Sequence, residues 1–422
     1  MSQRVLIIGG GLSGLALAQG LKKVTPSIPF RIFERDSSAA FRAQGYRIRI
    51  SGAALQALLP APVFATFEAT SNSSINPGHA IDALTGTPDA AASMPGPPPG
   101  TTAHTDTAKS YNVDRAVLRN VLLQGLEEHI SYGKKFDLYE ALRNDGTVQV
   151  RFADGTVERG TLLVGADGVR SGVRRQLLPD FPILDTEGRS VFGKTDFTDE
   201  IVAKLPNEFL SGMCLASVPG TASEHPSKLL FEVMRFDPAA RALGLGVPAD
   251  YIYWVLCTRQ DVTDTHVAGL SELLSLSSAE SAGLAQALMR DWHESVRTIV
   301  DAPNEDSTAT LAFFSCTKEG LPRSWAQLRQ EHANTPVTLI GDAAHPMPPV
   351  GGVGANSAFQ DALELFEVLK SSQVEMTSQG AVLAKYEQSM VERVVEAVER
   401  SSAGAVRFFG MKSQDELKPA QI

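Results

Sequence analysis

A chain of 422 residues, 43% apolar and 20% charged, is long enough for more than one structural unit and apolar enough to bury a large core. Its 38 lysines and arginines against 48 aspartates and glutamates leave a net charge of −10, the wrong sign for a protein drawn to nucleic-acid phosphates. Three scattered cysteines, Cys214, Cys257 and Cys316, offer neither a disulfide framework nor metal-ligand spacing, and the eight histidines form no HExxH pair; the sequence predicts no metal and a reducing, cytoplasmic setting.

Residues 4–8 predict a buried strand, 13–23 a helix and 30–34 a second strand, together a βαβ unit. The apolar run from Val5 to Ala18 has the length of a secretory leader core, but Gly9, Gly10, Gly11, Ser13 and Gly14 pattern it as a turn, which favours the βαβ reading. No other segment approaches the ~20 apolar residues that span a bilayer, so no membrane anchor is expected. From Gly86 to Lys109 the sequence is rich in Pro, Gly, Ala and Thr and predicts a loop. Residues 114–128 carry Val117, Leu118, Val121, Leu122 and Leu126 at helical spacing, and 148–152 alternate as a strand before an Asp154-Gly155 turn. Strand-like runs within 190–258, notably 228–234 and 251–256, predict a mainly antiparallel sheet. From Ala381 to Val398, the stripe Leu383, Tyr386, Met390, Val394 and Val398 predicts a packing helix.

Three motifs carry chemistry. Gly9-x-Gly11-x-x-Gly14 follows a strand and opens a helix, the arrangement that lets backbone approach a pyrophosphate at a helix N-terminus. Glu34 lies at the end of the next strand, where a carboxylate accepts hydrogen bonds from a ribose diol. This much fits NAD or FAD equally. The second motif, Gly341-Asp342-Ala-Ala-His345 with Pro349, Gly352, Gly354, Asn356 and then Asp361, suits a flavin. Asp342 is positioned to accept from a ribityl hydroxyl, and the Gly354 to Asn356 amides to stabilise negative charge on a reduced ring. The third is the Asp-Gly turn Gly165-Ala-Asp167-Gly168, followed by a basic helix start.

In this order the three motifs resemble the group A FAD-dependent monooxygenases, the family of para-hydroxybenzoate hydroxylase. The resemblance spans residues 9 to 361 and implies an α/β fold. In it a Rossmann-like FAD-binding domain (1–75, 108–182 and 309–370) is interleaved with a mainly antiparallel substrate domain (76–107 and 183–308), and C-terminal helices occupy 371–422. It implies that Gly9, Gly11, Leu12, Ser13, Gly14, Glu34 and Arg35 hold the ADP half of FAD. Asp342, Pro349, Gly352, Val353, Gly354, Ala355 and Asn356 would hold the ribityl and flavin half. Asp167 resembles an aspartate implicated with both FAD and NADPH, Arg115 an arginine that approaches FAD, and Arg42 an NADPH-contacting arginine of the tetracycline-inactivating members. Arg49 departs from those members, which carry an aspartate there. No second GxGxxG follows, so NADPH is expected as a transient co-substrate. The implied reaction passes from NADPH to FAD, then through a C4a-peroxyflavin formed with O2 to an apolar or aromatic small-molecule metabolite. A reductase, or a flavin-binding protein without oxygenase activity, is the alternative on the same scaffold. Phe231, Met234, Tyr253 and Trp254 are candidate pocket walls, each weighed against core packing. Lys194 and Arg235 are candidate activators of a phenol or enol, each weighed against solvated surface charge. Substrate identity and oligomeric state are not legible.

Overall fold

The computed structural model describes residues 4–38, 45–73, 78–90, 109–142, 146–304, 306–331, 334–375 and 379–420. Five strands, Val5–Ile8, Phe30–Phe33, Ile130–Ser131, Leu162–Gly165 and Val337–Leu339, pair in parallel. Numbered along the chain, they lie side by side in the order 3-2-1-4-5. Leu6 lies against Gly160 of a three-stranded meander, whereas its neighbour Ile7 lies against Gly14 of the helix Leu12–Lys23. Successive side chains thus enter opposite layers. With both faces covered, the strand Val5–Ile8 must be apolar throughout, as its Val-Leu-Ile-Ile sequence is. Strand order reverses between Val5–Ile8 and Leu162–Gly165, and the crevice beyond the carboxyl ends of such a pair is where α/β sheets bind ligands.

A seven-stranded sheet forms the second layer system, in the order Ala309–Cys316, Ile183–Asp196, Tyr251–Arg259, Lys228–Met234, Met213–Ser217, His79–Asp82 and Thr87–Pro88. Every pairing is antiparallel except Met213–Ser217 with His79–Asp82. One face carries Leu229, Phe231, Ile252, Trp254 and Leu256 into a core with Leu284, Val296 and Ile299 from the helices Ser278–Leu288 and Glu294–Asp301. A two-stranded ribbon, Arg47–Ser51 with Ser110–Asp114, bonds through Ser51 to Asn356 of the helix Val353–Glu375 and through Asn112 to Glu232 of the seven-stranded sheet.

The helix expected over 114–128 ends at Leu123, because Gly125 turns the chain at φ +70 before a short 3-10 turn at Glu127–His129. The C-terminal helix runs further than its apolar stripe required, from Gln379 to Phe409. Of the loop expected over 86–109, Thr87–Pro88 is a short edge strand, and residues 91–108 lie outside the described residues. Among the described residues no helix is long and apolar enough to cross a membrane.

Candidate functional site

The three motifs meet at the reversal point of the parallel sheet. Gly9 adopts φ +110, and a Cβ there would sit 2.3 Å from the Ala166 carbonyl oxygen; a Cβ on Gly14 would sit 2.3 Å from the Gly9 oxygen. The protein's own packing therefore requires these two glycines. Gly11 differs: its Cβ would meet only the Ala166 oxygen, at 4.0 Å. Among the described residues nothing demands glycine at Gly11, so the missing side chain leaves a cradle open toward whatever occupies the crevice. Glu34 accepts from the Gly10 amide at 2.8 Å through one oxygen and from the Asp36 amide at 3.0 Å through the other, which fixes its carboxylate beside the loop. Leu12 and Ser13 begin the helix, and Arg35 is exposed just beyond the second strand. Arg119 was not anticipated: its Nε donates to the Gly10 carbonyl at 3.0 Å. It lies four residues after Arg115 and so on the same helix face, which is the signal that would have found it.

Ser13 also abuts the second motif, since a Cβ on Gly341 would lie 3.0 Å from its Oγ. Asp342 is open to solvent, yet protein surrounds it closely enough for desolvation to raise its pKa, with the charges of His345, Arg115 and Arg174 pulling the other way. This is the signature of a carboxylate on the floor of a cleft. Pro349 and Gly352 are exposed and Gly352 adopts φ +66. The helix Val353–Glu375 then begins, so the amides of Val353, Gly354, Ala355 and Asn356 belong to its first turn, where backbone donors have no partner within the helix. The Asn356 side chain accepts from Ser51 N at 2.8 Å and donates to the Gly352 oxygen at 2.8 Å, tying this loop to the ribbon.

Asp361 holds the turn from beneath. Fully buried, it accepts from the Gly341 amide at 2.7 Å, pairs with His345 Nε2 at 2.6 Å and accepts from Arg393 at 2.8 Å. Burial alone would raise its pKa, but His345 and Arg393 hold it below the usual carboxylate range.

Asp167 is engaged within its own turn, accepting from Ser171 Oγ at 2.5 Å and the Gly172 amide at 2.8 Å, while Ser171 caps the next helix. Arg174, also unanticipated, is buried and donates to the Ala343 carbonyl at 3.0 Å and the Val169 carbonyl at 2.5 Å, locking the Asp-Gly turn to the Gly-Asp turn. Desolvation pushes its pKa down to about 10. The Arg115 guanidinium stacks over the Tyr46 ring at 5.3 Å, within electrostatic reach of Asp342. Arg42 lies outside the described residues.

Across the cleft, the large sheet sorts its candidates by strand alternation. Phe231 and Trp254 point away from the glycine loops into the far core, so neither lines a pocket on the near side. Tyr253 and Met234 lie on the near face, with Met234 packed against Phe236 and Tyr251. Lys194 is not solvated surface charge. Its side chain is 18% exposed, its Nζ lies 2.7 Å from Asp114, and it sits 4.4 Å from the Tyr251 ring centroid; the Tyr251 hydroxyl donates to the same Asp114 oxygen at 2.8 Å. Arg235 is exposed, its guanidinium over the Phe197 ring at 4.8 Å. The near face also presents Glu232, which accepts from Asn112 at 2.9 Å and pairs with Arg47 at 2.5 Å. The three cysteines are buried and unpaired, and desolvation pushes each thiol up to about 12, which disfavours the thiolate.

Residues 293–402 match the family model described as FAD binding domain. The dual O-methyltransferase/FAD-dependent monooxygenase of Cercospora beticola is 36% identical over 98% of this chain, which spans about half the length (47%) of that relative. The FAD-dependent monooxygenase cctM of Talaromyces islandicus is 26% identical, with 100% of this chain and 95% of that protein covered. The crystal structure of a putative FAD containing monooxygenase from Photorhabdus luminescens superposes with a TM-score of 0.74 at 27% identity, over 96% of this chain and 99% of that one. Residues 293–402 thus match a FAD binding domain, and by sequence and by fold the chain is similar to FAD-dependent monooxygenases.

Proposed function

We propose that this chain is an NADPH- and O2-dependent FAD monooxygenase that places one oxygen atom on an aromatic small-molecule metabolite. The observation that carries the reading is the meeting of three motifs at the strand-order reversal, with no described residue requiring glycine at Gly11. In this reading residues 1–75, 108–182 and 309–370 form the FAD-binding domain, 76–107 and 183–308 the substrate domain, and 371–422 a helical C-terminal segment.

Each residue then has a task. Gly9 and Gly14 shape the turn, Gly11 admits the pyrophosphate, and the amides of Leu12 and Ser13 face its charge at the helix N-terminus. Glu34 accepts from the adenosine ribose, with Arg35 at the rim. Asp342 accepts from the ribityl chain, and the first-turn amides from Val353 to Asn356 stabilise negative charge on the ring. Asp167 holds its turn through Ser171 and Gly172, and Arg115 balances Asp342. Arg42 is assigned to transient NADPH contact. Bound FAD supplies hydride acceptance and oxygen activation; the protein orients the substrate and excludes water. The substrate lies between the ribbon and the near face of the large sheet. Relatives that join an O-methyltransferase to a monooxygenase in one chain favour an aromatic substrate bearing hydroxyl groups.

The test is to purify the chain, record flavin absorbance, and follow NADPH consumption and product mass with isotopically labelled dioxygen across a panel of hydroxylated aromatic metabolites. Substrate-stimulated NADPH oxidation with one labelled atom in the product is expected. Turnover in strict absence of oxygen would overturn the reading in favour of a reductase, and a folded chain that takes up no FAD would overturn it altogether.

A further inference from the structure

Resting on that reading and deepening it, we propose that Gly404 and Ser401 of the helix Gln379–Phe409 are positioning residues for the flavin ring. They act through residues 348–350, which lead into the ring-facing first turn of the helix Val353–Glu375. Pro348 and Val350 are buried, whereas Pro349 between them is exposed, so the segment turns two residues inward and one outward. Gly351 and Gly352 follow at φ +76 and φ +66. This link is compact, and a displacement of Val350 passes through it to Val353.

Ser401 and Gly404 are three residues apart and so neighbours on one helix face. The Ser401 side chain, 1% exposed, donates to the Pro348 carbonyl, which also accepts from the Val350 amide at 2.8 Å; both acceptor positions of that oxygen are taken. Gly404 is the more telling of the two. Glycine inside a helix is disfavoured relative to alanine, and a Cβ here would meet only Val350 among the described residues, its Cγ1 at 2.6 Å. The missing side chain is a notch, and Val350 fills it. Val350 has little room to yield, being β-branched and buried in one cluster with Cys257 and Phe313 of the seven-stranded sheet and Ala405 and Phe409 of the same helix. A methyl added at Gly404 therefore moves the loop. The same helix reaches the other end of that loop through Arg393, which donates to Asp361 beneath Gly341. One helix thus sets both ends of the segment that carries Asp342 and delivers the first-turn amides.

The test compares FAD, followed by its fluorescence and visible absorbance, with ADP, followed by calorimetry, on the full chain freed of flavin. ADP reports the nucleotide loop alone. Gly404→Ala is expected to weaken FAD about tenfold while leaving ADP within about twofold of wild type, the scale at which one extra methyl is felt in a packed site. The bound flavin should show a shifted visible band and a lower reduction potential, because displaced amides stabilise the reduced anion less. Adding Val350→Ala to Gly404→Ala makes room for the methyl and restores most of the FAD affinity. Ser401→Ala, which adds no bulk, acts in the same direction by about threefold, the loss of one hydrogen bond. Wild-type FAD affinity and potential in folded Gly404→Ala, equal weakening of FAD and ADP, or no recovery in the double variant each overturn the positioning role. A wild-type chain that binds ADP but not FAD overturns the proposed function instead.

Discussion

The parallel sheet and the seven-stranded sheet present different material to the cleft between them. The first offers mainly backbone: glycine turns at the carboxyl ends of its strands, a helix first turn, and the carboxylates of Glu34 and Asp342. The second offers side chains, Glu232, Tyr253 and Tyr251 on alternate positions of neighbouring strands, with Lys194 beside them. Backbone sites suit a constant ligand, because any side chain in the way is removed by glycine and the amides remain. Side-chain sites suit a variable one, because each alternate position is exchanged without disturbing the ladder.

The comparison breaks first on stability. Phe231→Ala, on the far face of the large sheet, is expected to cost about 3–5 kcal/mol in denaturant unfolding while the folded fraction keeps its FAD; flavin loss without destabilisation would move Phe231 to the near side. Asp361→Ala, under the Gly-Asp turn, is expected to cost a similar ~3–5 kcal/mol, because Arg393 and His345 lose a buried partner. It should lower FAD occupancy as well, and full occupancy would show that the turn does not depend on it. This term has a defined pH window. The folded pKa of Asp361 is depressed, so its stabilisation is complete above the unfolded carboxylate value of about 4 and is lost as pH falls through the lower folded value. The stability gap between wild type and Asp361→Asn should therefore be flat from neutral pH to about 5 and narrow only in stronger acid. Gly14→Ala is expected to cost about 1–3 kcal/mol through its contact with the Gly9 oxygen. Gly11→Ala should leave the unfolding midpoint within about 0.5 kcal/mol of wild type and weaken FAD retention. Should both glycine variants destabilise equally, the distinction between packing glycine and ligand glycine fails.

How legible each region was follows from how far apart its partners lie. The glycine loop and Glu34 fall within a single βαβ unit, where strand, turn and helix set the spacing, and the sequence was sufficient. The antiparallel run could be read from alternation, but its orientation could not: both faces of the large sheet are covered, so Phe231 and Trp254 looked the same as Met234 and Tyr253 until pairing assigned their faces. The contacts that complete the site join distant residues. Arg119 reaches Gly10, Arg174 reaches Ala343, and Arg47 reaches Glu232, each across more than a hundred positions. An arginine read alone on a helix or strand has surface charge as its default, and only tertiary placement distinguishes it. Lys194 could not be separated from surface charge for the same reason, since nothing local reveals that Asp114 and Tyr251 enclose it.

Asp361 joins a turn at Gly341 to an arginine at position 393 on the long C-terminal helix. During synthesis the nucleotide loop near Gly9 is therefore complete hundreds of residues before the Asp342 turn acquires its last hydrogen-bond partner. In the proposed flavoprotein the ribosome delivers the two parts of the cofactor cradle hundreds of residues apart, and firm capture of the flavin waits until Arg393 has emerged.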